Sequence, residues 1–425
     1  MYKTPASLLS LLLILCTMPL APAQSQDFKG RWAGPLKTDE GPGGLEIRLA
    51  PDGSQLKAEL TLRLEGQDAV LAVEELKING NDISFSANAG RTLLRFTGRF
   101  EGSRLDGTVD ALKGGKKVGN GTFALTRNGE MPPLPAQQAG GGQMADPNFN
   151  AKVEHPAYTK SGPKVLFDEA HNNFHTASGR YKPFADLVTN DGYRITPNKQ
   201  KFSRESLKGY AMLVISNAIG AAQMNALGAS NAAFTDEECD AVREWVRAGG
   251  SLLLIADHSP MGAANQSLAQ RFGVEMSKAC TIDRSNYDKE SENPGFIVYT
   301  RESGRLLDHA LTRGRNGGER VNRIITFTGQ SLKGPAESVA FLKLAETARD
   351  VMPGEDEEKG ASAAGRAQGI ALKFGKGRVI VLGEAGMLSA QIVGPQHLPF
   401  GMNRPGIDNR QLALNIMHWL SGLLK

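Results

Sequence analysis

A change of hydrophobic period divides this chain and limits its fold more than any other feature. From about Gly30 to Arg127, Leu56, Ala58, Leu60, Leu62 and Leu64 interleave with Lys57, Glu59, Thr61 and Arg63. That period of two is a strand with one buried face. Ile83, Phe85 and Ala87 repeat it, as do Leu105, Gly107 and Val109, then Phe123 and Leu125. Asp52-Gly53, Asn79-Gly80-Asn81-Asp82, Glu101-Gly102 and Lys113-Gly114-Gly115 supply turns between the runs. Residues 26–128 are therefore expected to form a small antiparallel barrel or sandwich.

Residues 129–163 break the pattern with Met131-Pro132-Pro133-Leu134-Pro135 and Gly140-Gly141-Gly142, the composition of a linker. Beyond it, over 164–425, short apolar runs alternate with amphipathic stretches. Val165-Leu166-Phe167, Met212 to Asn217 and Ser251 to Ala256 read as buried strands. Tyr181, Phe184 and Val188 share one helical face, and Thr235-Asp236-Glu237-Glu238 is a capping box opening another helix. Ser259-Pro260 reads as a helix start, Asp408 as the cap of the last helix, and Gly375-Lys376-Gly377 as the turn of a hairpin. The expectation is an α/β domain with a mostly parallel sheet and helices on both faces.

The first residues read as a secretory signal over 1–23: Lys3, an apolar core from Leu8 to Leu15, and a small-residue site at Ala21-Pro22-Ala23. A periplasmic or secreted location is expected, with no integral membrane segment once the signal is removed. The net charge of +4 is spread without a basic run, which gives nucleic-acid binding no electrostatic support. Cys239 and Cys280 would remain, either as one disulfide or as two separate thiols.

Chemistry gathers just past the apolar runs, where parallel sheets hold ligands. Asp168, Glu169, His171, Asn172 and His175 follow the first strand, Asn217 the second, Asp257 and His258 the third, and Glu384 a late one. His258 beside Asp257, Asp168 or Glu384 makes a general base, with Asp168, Glu169 and Glu384 as acid/base groups. In the plainer reading, Asp257 caps a helix and His258 is a satisfied structural group. His171, Asn172, His175, Asn217 and Gln330 are candidates to orient a substrate. His171 and His175, four apart, can share a helix face and with Asp168 bind zinc or manganese. Alternatively, His171 bonds a carboxylate and His175 covers the next turn. No Gly-x-Gly-x-x-Gly loop, P-loop or Gly-x-Ser-x-Gly elbow is present, which removes support for dehydrogenase, kinase and ordinary serine-hydrolase chemistry.

The run Trp245-Val246-Arg247-Ala248-Gly249-Gly250-Ser251-Leu252-Leu253-Leu254-Ile255-Ala256-Asp257-His258, with Phe167-Asp168-Glu169-Ala170-His171 upstream, resembles the class I glutamine amidotransferase-like superfamily, in the flavour of its trehalose-utilisation-type members. Gly30-Arg31-Trp32 and the closing Leu125-Thr126-Arg127 loosely resemble a lipocalin-like module. The first resemblance implies a flavodoxin-like sheet with His258 near the elbow where amidotransferases hold a nucleophilic cysteine. This chain has no cysteine there, so glutamine hydrolysis is not expected. The resemblance points to an exported hydrolase or lyase acting on a carbohydrate or glycan. The alternative is a non-catalytic protein binding a sugar or polyol in the same crevice.

Overall fold

Alternation builds a closed barrel in the first part of the chain. A computed structural model of the protein describes residues 28–39, 41–53, 55–64, 67–89, 92–131, 143–224, 228–352, 355–394 and 396–425. The expected signal and residues 132–142 of the expected linker fall outside these residues, whereas 143–163 are described and carry the short strand Met144–Ala145. Strands β1 (Gly30–Thr38), β2 (Gly41–Asp52), β3 (Gln55–Leu64), β4 (Gln67–Asn79), β5 (Asp82–Ala89), β6 (Thr92–Glu101), β7 (Arg104–Lys113) and β8 (Lys116–Arg127) pair antiparallel in sequence order. β8 returns to β1, from Trp32↔Arg127 to Thr38↔Gly121, and leaves no free sheet edge at the seam. Barrel rather than sandwich is the outcome. Trp32, Ile47, Leu60, Phe85, Phe96, Phe100 and Phe123 fill its centre. The wall admits only glycine at position 107, since a Cβ there would lie 2.4 Å from Phe123 Cζ and 2.2 Å from the Thr97 carbonyl oxygen.

The second part begins with the short β9 (Met144–Ala145) and the buried β10 (Lys164–Asp168), α1 (Lys182–Asn190), β11 (Arg194–Asn198) and β12 (Met212–Ser216). Then come α2 (Asp236–Arg247), β13 (Ser251–Ile255), α3 (Met261–Gln270), β14 (Glu275–Met276), β15 (Cys280–Ile282) and β16 (Val298–Thr300). After α4 (Ala310–Arg313) follow β17 (Arg323–Ile325), β18 (Leu332–Lys333), β19 (Val339–Lys343), β20 (Arg349–Val351) and β21 (Ala361–Ser362). The chain closes with β22 (Ala367–Phe374), β23 (Gly377–Leu382), β24 (Ala390–Val393), β25 (Leu398–Gly401) and α5 (Asn409–Leu420).

The main sheet has the order β11-β10-β12-β13-β23-β22-β18-β14, with β19 also on β22. From β11 to β23 the neighbours are parallel. From β23 onward they are antiparallel, because β22 and β23 form the expected hairpin through Phe374↔Gly377. The expected flavodoxin-like α/β unit is therefore corrected: the sheet is mixed, smaller two- and three-stranded sheets accompany it, and helices are few. Its physical cause is a 275–351 region whose strands are two to five residues long, too short to show a period. None of the helices among the described residues is long and apolar enough to cross a membrane.

Apolar side chains cover both faces of the sheet. Phe184 and Val188 of α1 and Leu412 and Ile416 of α5 pack with Val165, Val214, Leu253 and Ile380. Val242 and Val246 of α2 and Leu268 of α3 pack with Leu166, Leu213, Leu252 and Val379. The capping box forms at α2: Thr235 Oγ1 accepts from the Glu238 N–H, and Glu238 Oε2 from the Thr235 N–H. Thr235 is exposed, so Thr235→Ala removes one cap bond and is expected to cost about 1 kcal/mol. A lower denaturation midpoint at unchanged slope checks this. Two other expected caps are corrected. Pro260 precedes α3 with no side-chain cap, and Asp408 turns its carboxylate to the Asn322 and Arg323 N–H groups instead. Cys239 in α2 and Cys280 in β15 are separate free thiols.

Candidate functional site

Parallel neighbours β10, β12, β13 and β23 end at one edge of the sheet, so the residues that follow them converge. They form two clusters rather than one.

The first cluster is a closed ionic clamp. Asp168, fully buried at the end of β10, accepts from His171 Nδ1 at 2.8 Å and from Asn198 Nδ2 at 3.1 Å. His171 Nε2 reaches Glu238 Oε1 at 2.9 Å, and Glu238 also accepts the Phe202 N–H. Phe202 and Phe234 lie over the imidazole at 4.6 and 4.7 Å. Burial opposes a charge on His171, but the bond to Asp168, that residue's charge and Glu238 together hold its pKa above the ordinary imidazole value. Burial likewise opposes charge on Glu238, and the N–H of Thr235 together with His171 draws its pKa below the ordinary carboxylate value. Glu169 points elsewhere, accepting from the Ala177 N–H at 2.9 Å and pairing with Lys199 at 2.5 Å.

The three residues expected as metal ligands make other contacts. Both nitrogens of His171 are committed to carboxylates, while His175 Nδ1 lies 3.1 Å from Ser216 Oγ. Asp168, His171 and His175 do not converge on a common point as ligands. Among the described residues, no group of three or more His, Cys, Asp or Glu side chains is arranged to hold a metal ion. Burial lowers the pKa of His175 to about 3, and its ring stacks on Tyr181 at 4.7 Å as a neutral imidazole. Asn172 is exposed at φ 49°, its amide 3.5 Å from the Ile219 carbonyl.

The second cluster joins Asn217, Asp257, His258 and Glu384. Asn217, at φ 49°, donates from Nδ2 to Asp257 Oδ2 at 2.7 Å and accepts the Asp257 N–H at 2.9 Å. The other carboxylate oxygen accepts the Ala385 N–H at 2.8 Å. Asp257 is thus suspended between the ends of β12 and β23. Glu384 is 1% exposed and accepts from the Gly386 and Met387 N–H groups at 2.5 and 2.7 Å. Burial, then the charge of Asp257, push Glu384 well above the carboxylate range despite those donors. Burial also raises Asp257, opposed by the His258 charge, the Asn217 amide and the Ala385 N–H. The charge of Asp257 thus disfavours ionisation of Glu384, and burial drives both carboxyls toward holding their protons to higher pH than ordinary ones.

His258 is half-buried, and its Nδ1 lies 2.9 Å from the Ser259 carbonyl. A carbonyl only accepts, so Nδ1 donates to it, and whenever the ring is neutral the lone pair is on Nε2. No described residue bonds Nε2. Gln330 is a clip rather than a substrate contact: Nε2 donates to the Ala256 and Asp257 carbonyls at 2.9 Å, and Oε1 accepts the Lys278 N–H at 2.8 Å. Sequence reasoning missed Tyr181, which donates to the Ala385 carbonyl at 2.6 Å and so steadies the residue whose N–H faces Asp257. It reads as an ordinary helix-face aromatic, and nothing in its neighbours signals the contact.

No protein-family model matches the sequence, and neither does any curated protein. Solved structures similar to the chain include the mmIFT52 N-terminal domain, at 15% identity over 61% of this chain and 97% of that one, with a TM-score of 0.44. They also include the cytoplasmic protein STM1381 from Salmonella typhimurium LT2, at 12% identity over 60% of this chain and 99% of that one, with a TM-score of 0.33. TM-scores this low establish neither a shared fold nor a shared activity.

Proposed function

We propose that this protein is a hydrolase or lyase that acts on a carbohydrate or glycan by acid–base catalysis at Asp257, His258 and Glu384. The observation that carries the reading is a pair of acids at two adjacent strand ends, Glu384 buried and Asp257 half-buried, with a half-buried imidazole next to Asp257 in the chain. In this reading His258 Nε2 takes a proton from water or from the substrate. Asp257, the more accessible acid, returns one to the leaving group, and Glu384 holds the proton reserve behind it. Titratable groups whose surroundings drive their pKa values apart are the usual mark of an acid/base site. The carbohydrate class comes from the resemblance of Trp245 to His258 to trehalose-utilisation-type proteins. The periplasmic or secreted location belongs to the same proposal and is read by cell fractionation.

The test is turnover by the full chain across glycosides and polysaccharides, with His258→Ala and Asp257→Asn alongside. Loss of the base is expected to lower kcat by about 10²–10⁴-fold. Equal rates in parent and variants would rule out catalysis at this edge. Saturable sugar binding without turnover would make the protein a sugar- or polyol-binding one instead.

A further inference from the structure

The barrel carries a feature that the acid pair does not use. β3 and β4 pair from Leu64↔Gln67 as far as Glu59↔Ala72 and then separate. Beyond that point, Gln55 to Ala58 pair only with β2, and Val73 to Asn79 only with β5. A bulge between Glu74 and Lys77, with Glu75 at φ 51°, drives the divergence. The extra residue keeps both Val73 and Leu76 facing inward although they lie three apart, and it bends β4 away from its neighbour.

A cavity of about 490 Å³ opens at this split, lined by Asp52, Leu56, Lys57, Ala58, Val73 and Leu76 among others. That falls within the roughly 300–1,000 Å³ of small-ligand sites. Its two sides differ in chemistry. Leu56, Ala58, Val73 and Leu76 are buried or half-buried on the inner side, whereas Asp52 and Lys57 are exposed at the rim. The barrel centre is already filled, with Phe85 stacked on Phe96 at 4.6 Å and Phe96 against Phe123 at 6.2 Å. A ligand would therefore sit in the wall.

We propose that this split binds a short aliphatic peptide with free termini. Three features select that class. The diverging edges of β3 and β4 offer backbone N–H and C=O groups to an extended chain, as in strand addition. The inner aliphatic side chains suit leucine- or valine-like residues. The rim carries one charge of each sign, which matches a zwitterion and disfavours a simple anionic amphiphile. The pairings Asp52↔Gln55 and Ala50↔Lys57 make Asp52 and Lys57 diagonal neighbours, roughly 7–8 Å apart.

The experiment is calorimetric titration of the full chain with Leu-Leu, its N-acetylated amide and decanoate. Saturable binding of Leu-Leu is expected, with about tenfold or greater loss for the capped peptide, and weaker binding of decanoate. Lys57→Glu and Asp52→Lys lie at exposed positions, and each is expected to weaken Leu-Leu by a similar factor without moving the melting temperature. The double variant, which restores one charge of each sign, is expected to recover binding. No saturable binding of Leu-Leu overturns the proposal, as does equal affinity for the capped peptide. Decanoate binding tighter than Leu-Leu, or indifference to both charge reversals, overturns it too.

Discussion

Replacing His171 with alanine is expected to destabilise the second part of the chain by about 3–5 kcal/mol, because it strips the bridging cation from two buried carboxylates. Asp168 and Glu238 sit on opposite edges of the imidazole at 2.8 and 2.9 Å, and His171 itself is 5% exposed. His171→Gln keeps most of the volume but not the charge, so it separates packing from electrostatics. The pH dependence has a definite sign. Because the folded pKa of His171 is raised above its usual 6.5, its contribution is complete below that value and is lost as pH climbs through the folded pKa. Glu238, lowered from 4.5, contributes above that value and loses its contribution as pH falls through the folded one. The stability gap between parent and His171→Gln is therefore expected to be widest between about pH 4.5 and 6.5 and to narrow in alkali. Urea unfolding from below pH 4.5 through that window and into alkali decides it. A gap that stays flat with pH sinks the clamp.

Glu384→Gln is expected to have the second large effect, on both activity and the shape of the stability profile. The variant keeps the size of the side chain and removes the ionisable proton behind Asp257. If the acid pair serves the reaction, kcat falls about 10²-fold or more, and Asp257, relieved of a facing acid, titrates lower. The stability readout needs no substrate. A carboxyl with a raised folded pKa lets the folded state bind more protons than the unfolded one. Its contribution is thus complete below the unfolded value of 4.5 and is lost as pH rises through the folded one. The Glu384→Gln variant should lose less stability than the parent from pH 5 upward. Parallel curves for the two proteins would refute the coupled pair.

The strand-end residues were legible in the sequence because a buried strand is a short apolar run, and the polar residue that ends it stands out. Asp257, His258, Asn217 and Glu384 were found that way, and two of them, Asn217 and Asp257, are hydrogen-bonded to each other, with the Ala385 N–H tying Asp257 to the end of β23. Their separation from Asp168 and His171 was not legible. It depends on Glu238, which reads in sequence as half of a capping box and serves in space as the second partner of His171. Tyr181 and Gln330 were opaque in the same way, since each acts through a backbone atom 204 or 74 residues distant.

What the sequence by itself determined is local: strands wherever apolar residues alternate or run together, the β22–β23 hairpin at Gly375-Lys376-Gly377, and the start of α2 at Thr235. These follow from backbone sterics and from the period of side-chain burial, which act over a few residues. Tertiary structure alone decided that the first eight strands close on themselves, that the main sheet turns antiparallel beyond β23, and which carboxylate meets which partner. Those outcomes rest on contacts between residues far apart in the chain. No pattern of period two or 3.6 records them, because burial fixes only which face a side chain takes and long-range packing chooses the neighbour it meets there.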